Sequence, residues 1–160
     1  TIGWNIHEQN IRDGMKDVKW PGRFDVVSHS PLFIIDGGHN PQCIEALVKN
    51  VEDYLHDRKV IALTGVLADK DYADMYVPIM PFVNQFVCIT PPNPRKLESA
   101  ELAKYLRTKG AHAVGSDSIM DGVKTALELA GSDGVVLCFG SLYSIGSIRD
   151  ALISLQGELA

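Results

Sequence analysis

The sequence predicts an α/β layered domain, a mostly parallel sheet of about six strands with helices on both faces and one antiparallel or edge strand. Three observations carry that expectation. From Phe24 onward, short apolar runs alternate with amphipathic stretches of helix length. Two of the runs, Leu32 to Ile35 and Val135 to Phe139, are apolar at every position, as strands buried on both faces of a parallel sheet are. Most connections between runs are long enough for the crossover that parallel neighbours require.

Taken in order, Thr1 to Lys19 fits this plan least. It is mostly polar, with Ile2, Trp4, Ile6, Ile11, Met15 and Val18 scattered through it; the last three fit helical spacing, but no complete core face forms. Composition changes at Trp20-Pro21-Gly22-Arg23. Phe24 to Ser28 reads as a strand, and the gap before Leu32 is too short for a crossover, so it should pair antiparallel with a neighbour or lie at the edge. Pro41 to Leu55 places Ile44, Leu47, Val48, Val51 and Leu55 on one helical face, with Asn40 as N-cap and proline at the first position. Val60 to Thr64 is the next strand. Tyr72 to Val83 is a weaker helix, which Pro78 and Pro81 must end or kink. Phe86 to Thr90 is a strand, followed by a helix over Ser99 to Lys109 with Ser99 as cap, Leu102, Tyr105 and Leu106 on one face, and Gly110 as terminator. Ala111 to Gly115, Ser118 to Ala130, Val135 to Phe139 and Leu142 to Leu155 complete the alternation. No internal repeat or low-complexity stretch is visible.

The length of 160 residues suits one domain, or one domain with an appendage. With 46% hydrophobic and 22% charged residues the chain is too apolar for disorder. A formal net charge of −5 lacks the electrostatic footprint of a nucleic-acid binder. No apolar run approaches the roughly 20 residues of a membrane helix, and the basic-then-apolar pattern of a signal peptide is missing; a soluble cytoplasmic protein with no membrane partner is expected. The three cysteines, Cys43, Cys88 and Cys138, form neither a disulfide framework nor a zinc spacing. Cys88 and Cys138 lie in apolar runs and should be buried.

In open α/β sheets ligands gather at the carboxyl ends of the strands, and four such places carry chemistry. Asp36-Gly37-Gly38-His39-Asn40-Pro41 follows one strand and opens a helix: two glycines let the backbone turn tightly, while a carboxylate and an imidazole project beside a helix N-terminus. The same residues could instead cap the turn and the helix, with His39 in solvent. Gly65 to Asp71 ends in Asp69-Lys70-Asp71, which could grip a phosphate or a zwitterion or simply be solvated. Thr90-Pro91-Pro92-Asn93-Pro94-Arg95 stiffens a loop that presents Arg95, suited to a carboxylate or merely exposed. Gly140-Ser141-Leu142-Tyr143 offers Ser141 either as a ligand-facing hydroxyl or as an N-cap, the cap being the expectation. Neither GxxxxGK[ST] nor GxGxxG is present, so nucleotide binding by a glycine loop is unsupported, and HExxH and GxSxG are absent as well. Gly38 stands where an aspartyl-phosphate hydrolase would carry its second aspartate.

Together these motifs resemble the C-terminal domain of folylpolyglutamate synthases and bifunctional dihydrofolate synthases, in the Mur ligase superfamily of ATP-dependent amino-acid ligases. Trp20 to Arg23 is similar to the hinge that leads from the central ATPase domain. Asp36 to Pro41 resembles the Asp-Gly-Ala-His-Asn-Pro signature with Gly38 in place of alanine, Gly65 to Asp71 resembles Gly-Val-Leu-Ala-Asp-Lys-Asp, and Gly140 to Tyr143 the last strand-to-helix turn. The resemblance implies a Rossmann-like three-layer sandwich over 21–160 and a remnant of the central domain over 1–20. It implies an enzyme that uses ATP and Mg2+ to activate a folate carboxylate as an acyl phosphate, which L-glutamate then attacks, both cofactors being held mainly by the central ATPase domain. Domain closure would complete the site and exclude water.

By the same resemblance Arg23 and Asp36 contact the nucleotide, Asp36 and His39 serve catalysis, and Arg95, Lys70, Ser141 and Asn93 contact glutamate. This chain alone should be inactive, with 1–19 either mobile or docked on a neighbour. Two alternatives stand beside this reading, a stand-alone module sensing a small anion at the Asp36 loop and a ligase acting on a cell-wall precursor.

Overall fold

The elements follow the expected beat. In a computed structural model that describes residues 3, 4, 6–18 and 20–158, helix α1 (Glu8–Lys16) is followed by strands β1 (Asp25–His29) and β2 (Leu32–Ile35), helix α2 (Pro41–Tyr54), β3 (Val60–Thr64), α3 (Tyr72–Ile79), β4 (Gln85–Cys88), α4 (Ser99–Thr108), β5 (Ala113–Gly115), α5 (Ile119–Ala130), β6 (Val135–Phe139) and α6 (Ile145–Glu158). The readings made for Thr1, Ile2 and Lys19 lie outside the described residues.

The strands form one sheet in the order β1-β2-β6-β3-β4-β5. β1 is both antiparallel to β2 and at the edge, and the other neighbours run parallel. The two all-apolar runs are strands of the sheet interior: β6 is buried at every position and β2 at all but Leu32, and β3 is buried throughout as well. Ile44, Leu47 and Val51 of α2, Met75, Tyr76 and Ile79 of α3, and Leu102 and Leu106 of α4 cover one face of the sheet. Val123 and Ala126 of α5 with Ile148 and Leu152 of α6 cover the other. Cys88 and Cys138 are buried, as expected.

Local chemistry explains most boundaries. Asn40 Oδ1 accepts the Cys43 N–H at 2.9 Å and starts α2; Ser118 Oγ accepts the Asp121 N–H at 3.1 Å and starts α5. Gly110, at φ 90°, terminates α4 as expected. Pro78 sits in the last turn of α3, which passes into a 3-10 turn at Met80–Phe82. Phe24 has φ 45° and so cannot belong to the extended strand, which begins one residue later. Ser99 is not a cap: Glu98 holds that position, and the Ser99 hydroxyl donates to Ser116 O at 2.9 Å instead.

Helix α1 buries none of its residues. Trp4 is 78% exposed, Ile11 53% and Met15 74%, so each forgoes the roughly 1.5–3 kcal/mol that burial of a large apolar side chain supplies.

The topology creates the place for a site. Helices α2 and α3, which follow β2 and β3, lie on one face, whereas α6, which follows β6, lies on the other. Because β6 is flanked by β2 and β3, the chain leaves adjacent strands in opposite directions and opens a crevice on either side of the β6 exit.

Candidate functional site

The loop after β2 is built around Asp36. Its Oδ1 accepts the Gly38 N–H at 2.7 Å and its Oδ2 the Phe24 N–H at 2.9 Å. Gly37 donates its N–H to Gly22 O at 2.7 Å, and a Cβ at Gly37 would stand 2.3 Å from Leu142 Cδ2. A larger residue there would push the Leu142 side chain aside and crowd Gly22 O, 3.3 Å away. His39 is half-buried, and its Nδ1 lies 2.8 Å from Gly37 O. A carbonyl can only accept, so the proton of the neutral ring sits on Nδ1 and the lone pair of Nε2 is left for a ligand.

The exits of β3 and β6 are pressed together beside it. A Cβ at Gly140, which has φ 107°, would lie 2.5 Å from Gly65 O. Below them Thr64 Oγ1 donates to Phe139 O at 2.9 Å, which leaves the Tyr76 hydroxyl to donate to Thr64 at 2.7 Å. Sequence reasoning passed over this pair. Its only trace was a single hydroxyl, Thr64, ending an otherwise apolar strand.

Between these exits lies a cavity of about 310 Å³ whose polar lining is His39, Lys70, Arg95 and Ser141, with Leu67, Leu142 and Tyr143 as the apolar wall. Ser141 departs from its expected role. It is 6% exposed and precedes a 3-10 turn at Leu142–Ser144, yet its hydroxyl accepts no capping bond and has no partner. Arg95 leans over the cavity with Nη1 donating to Asp69 Oδ2 at 2.6 Å, and no ion pair among the described residues engages Lys70. Two cations, an imidazole lone pair and a buried free hydroxyl suit a small anion that also carries an amine.

Four of the expected site residues therefore converge. Arg23 and Asp36 instead line a neighbouring depression of about 270 Å³ with Cys43 and Asn50. Asn93 lies in neither; its Oδ1 accepts the Arg95 N–H at 2.9 Å, so it shapes the loop. A hollow of about 360 Å³ at the opposite end of the sheet contains Arg58 and Asn84, but their polar groups are spent on the backbone at Asp133 and Val60.

Burial pushes the Cys88 and Cys138 thiols up to about 12, the Asp36 charge adding to the effect at Cys138. Neither is a nucleophile at neutral pH. Among the described residues no group of three His, Cys, Asp or Glu side chains converges to hold a metal ion, and no helix is long and apolar enough to cross a membrane.

The family described as the Mur ligase glutamate ligase domain matches residues 22–142. The folylpolyglutamate synthase of Lacticaseibacillus casei is 31% identical over 154 residues, covering 94% of this chain and 34% of that protein. The dihydrofolate synthase/folylpolyglutamate synthase of Escherichia coli K12 is 29% identical over 150 residues, covering 94% of this chain and 35% of that protein. Among solved structures, E. coli FolC in complex with DHPP and ADP superposes with a TM-score of 0.85 at 28% identity, covering 96% of this chain and 36% of that one. The bifunctional enzyme of Yersinia pestis complexed with AMPPNP and Mn gives 0.83 at 29% identity, covering 94% of this chain and 36% of that one. The chain spans about a third of the length of the curated relatives it matches, 34% and 35% in these two cases. By the match over 22–142, the chain belongs to the Mur ligase family as a glutamate ligase domain.

Proposed function

We propose that this domain receives L-glutamate for an ATP-dependent ligase that joins it to a folate through an acyl phosphate, and that it closes over ATP and folate held by a central ATPase domain of the same polypeptide. The observation that carries the reading is the buried, unpartnered Ser141 hydroxyl in one cavity with His39, Lys70 and Arg95. The names of the relatives support the substrate class, and one structural neighbour is described with Mn, AMPPNP and L-glutamate bound.

Each residue has a role in this reading. Lys70 and Arg95 meet the carboxylates of glutamate, and Ser141 donates its hydroxyl to one of them. His39 Nε2 accepts a proton from the amino group as it attacks the acyl carbon and phosphate leaves. Arg23, exposed at the domain's entrance, offsets phosphate charge. Asp36, with both oxygens occupied by backbone N–H groups, acts by holding the entrance turn to the loop that carries His39.

Mg2+ finds no ligand set among the described residues and ATP finds no phosphate loop in the sequence, so both belong to the central domain in this reading. Residues 1–20 then pack on that domain, which the exposed side of α1 supports, and 21–160 form the ligase domain. The chain alone should be inactive. A cytoplasmic setting fits three free thiols.

The test is ADP release by the whole protein given ATP, Mg2+, L-glutamate and either a folate or a peptidoglycan precursor. Turnover is expected with folate only, and His39→Ala should lower it by at least about tenfold. Normal turnover in His39→Ala removes the residue from the site, and turnover with the cell-wall precursor instead replaces the substrate.

A further inference from the structure

Arg23 sits between two residues in left-handed conformations, Gly22 at φ 78° and Phe24 at φ 45°. Glycine adopts that region readily. A phenylalanine there is strained, and such strain persists only where the surroundings enforce it. Both amides are in fact held by carboxylates: Gly22 N–H donates to Asp25 Oδ2 at 3.0 Å, and Phe24 N–H to Asp36 Oδ2 at 2.9 Å.

The two carboxylates differ in what fixes them. Asp36 is anchored locally, because its other oxygen takes the Gly38 N–H. Asp25 has no second backbone donor. Its Oδ2 is instead met by Nη2 of Arg149, which stands on α6 and is 124 residues away in sequence. The pair is partly buried, with side chains 35% and 26% exposed. The first turn of α6 also touches the same spot: a Cβ on Gly22 would lie 3.1 Å from Ile145 Cδ1. Helix α6 starts directly after the turn that follows Ser141. The entrance turn is thus braced against the N-terminal turns of α6, the same end of the helix that follows the cavity residues Ser141 to Tyr143.

We propose that Asp25 and Arg149 are positioning residues, a strut from α6 that sets the Trp20–Arg23 turn and with it the direction of the Arg23 guanidinium. Arg149 fixes the rotamer of Asp25 and balances its charge. The charged acceptor so placed holds the Gly22 amide, and the turn that carries Arg23 follows. The consequence for nucleotide rests on the reading of Arg23 given above; the strut itself does not.

Amide hydrogen exchange in the 160-residue chain tests it, with far-UV circular dichroism to check the fold. In Arg149→Ala the Gly22 amide should exchange at least about tenfold faster, while the Phe24 amide stays within about threefold of wild type and Arg149→Lys restores most of the protection. Should Arg149→Ala not fold, Asp25→Asn gives the same readout with its volume kept. Gly22 exchange at the wild-type rate in the folded variant overturns the strut. In the whole protein Arg149→Ala should raise the KM for ATP at least about fivefold with kcat changed less than about twofold. A loosened Gly22 amide with an unchanged ATP KM upholds the strut and removes Arg23 from the nucleotide, so the two ideas fail separately.

Discussion

The two flanks of the β2 exit treat their polar groups in opposite ways. On the entrance side, the oxygens of Asp36 take the amides of Phe24 and Gly38, and Asp25 takes Gly22 and Arg149. On the cavity side, the Ser141 hydroxyl is buried without a partner and His39 keeps a free ring nitrogen. A polar group buried and satisfied within the fold maintains geometry. One buried and left open costs stability unless something outside the fold completes it. In the proposed reading the difference gives Asp36 and Asp25 a structural part and Ser141 and His39 the ligand contact, although the sequence places Asp36 and His39 only three residues apart.

The sharpest way to break this division is Asp36→Ala. It strands two backbone N–H groups, and stability should fall by about 2–4 kcal/mol in urea unfolding. Wild-type stability would move Asp36 to the cavity side. Thr64→Val tests the floor beneath both flanks: it leaves the buried Tyr76 hydroxyl and Phe139 O without their partner and should cost about 1–3 kcal/mol by the same measurement. A neutral result would mean that the β3–β6 ladder and the close approach of Gly140 to Gly65 hold the exits together without the side-chain bonds.

Alkaline unfolding offers a third check. The Cys88 and Cys138 thiols are raised from 9.0 to about 12 in the folded state. The unfolded chain therefore loses these protons first, and the stability they contribute, intact below pH 9, is lost on the way to 12. The loss should be about 1.4 kcal/mol per thiol per pH unit, and replacing both with alanine should make that limb shallower, the buried Tyr76 hydroxyl, also raised by burial, keeping a slope above pH 10. Asp69→Ala has the smallest effect. Its pair with Arg95 is half-exposed, so stability should shift by no more than about 0.5 kcal/mol, while the KM for glutamate rises in the whole protein because Arg95 is no longer held over the cavity.

The layer architecture was legible because it is written in local pattern. The unbroken apolar runs of β2 and β6 announced parallel strands, and Asn40-Pro41 announced the start of α2. Position after strands singled out His39, Lys70, Arg95 and Ser141, which the fold brings around one cavity. What pattern could not supply was the destination of each polar group. Ser99 and Ser141 both precede helical turns and read as caps, but one hydroxyl is drawn to Ser116 O and the other finds no amide in reach. Asp36 stands out in the sequence as a candidate reactive carboxylate, and nothing local shows that it also takes the amide of Phe24, twelve residues earlier. The Asp25 to Arg149 pair spans 124 residues and leaves no mark in any local window.

Ser141→Ala tests the central claim most directly, by measuring unfolding stability and ligation turnover on the same variant of the whole protein. A hydroxyl meant for a ligand contributes nothing to the fold, so stability should stay level or rise by up to about 1 kcal/mol while turnover with glutamate falls at least about tenfold. Lost stability with turnover intact would make Ser141 a structural residue and contradict the account.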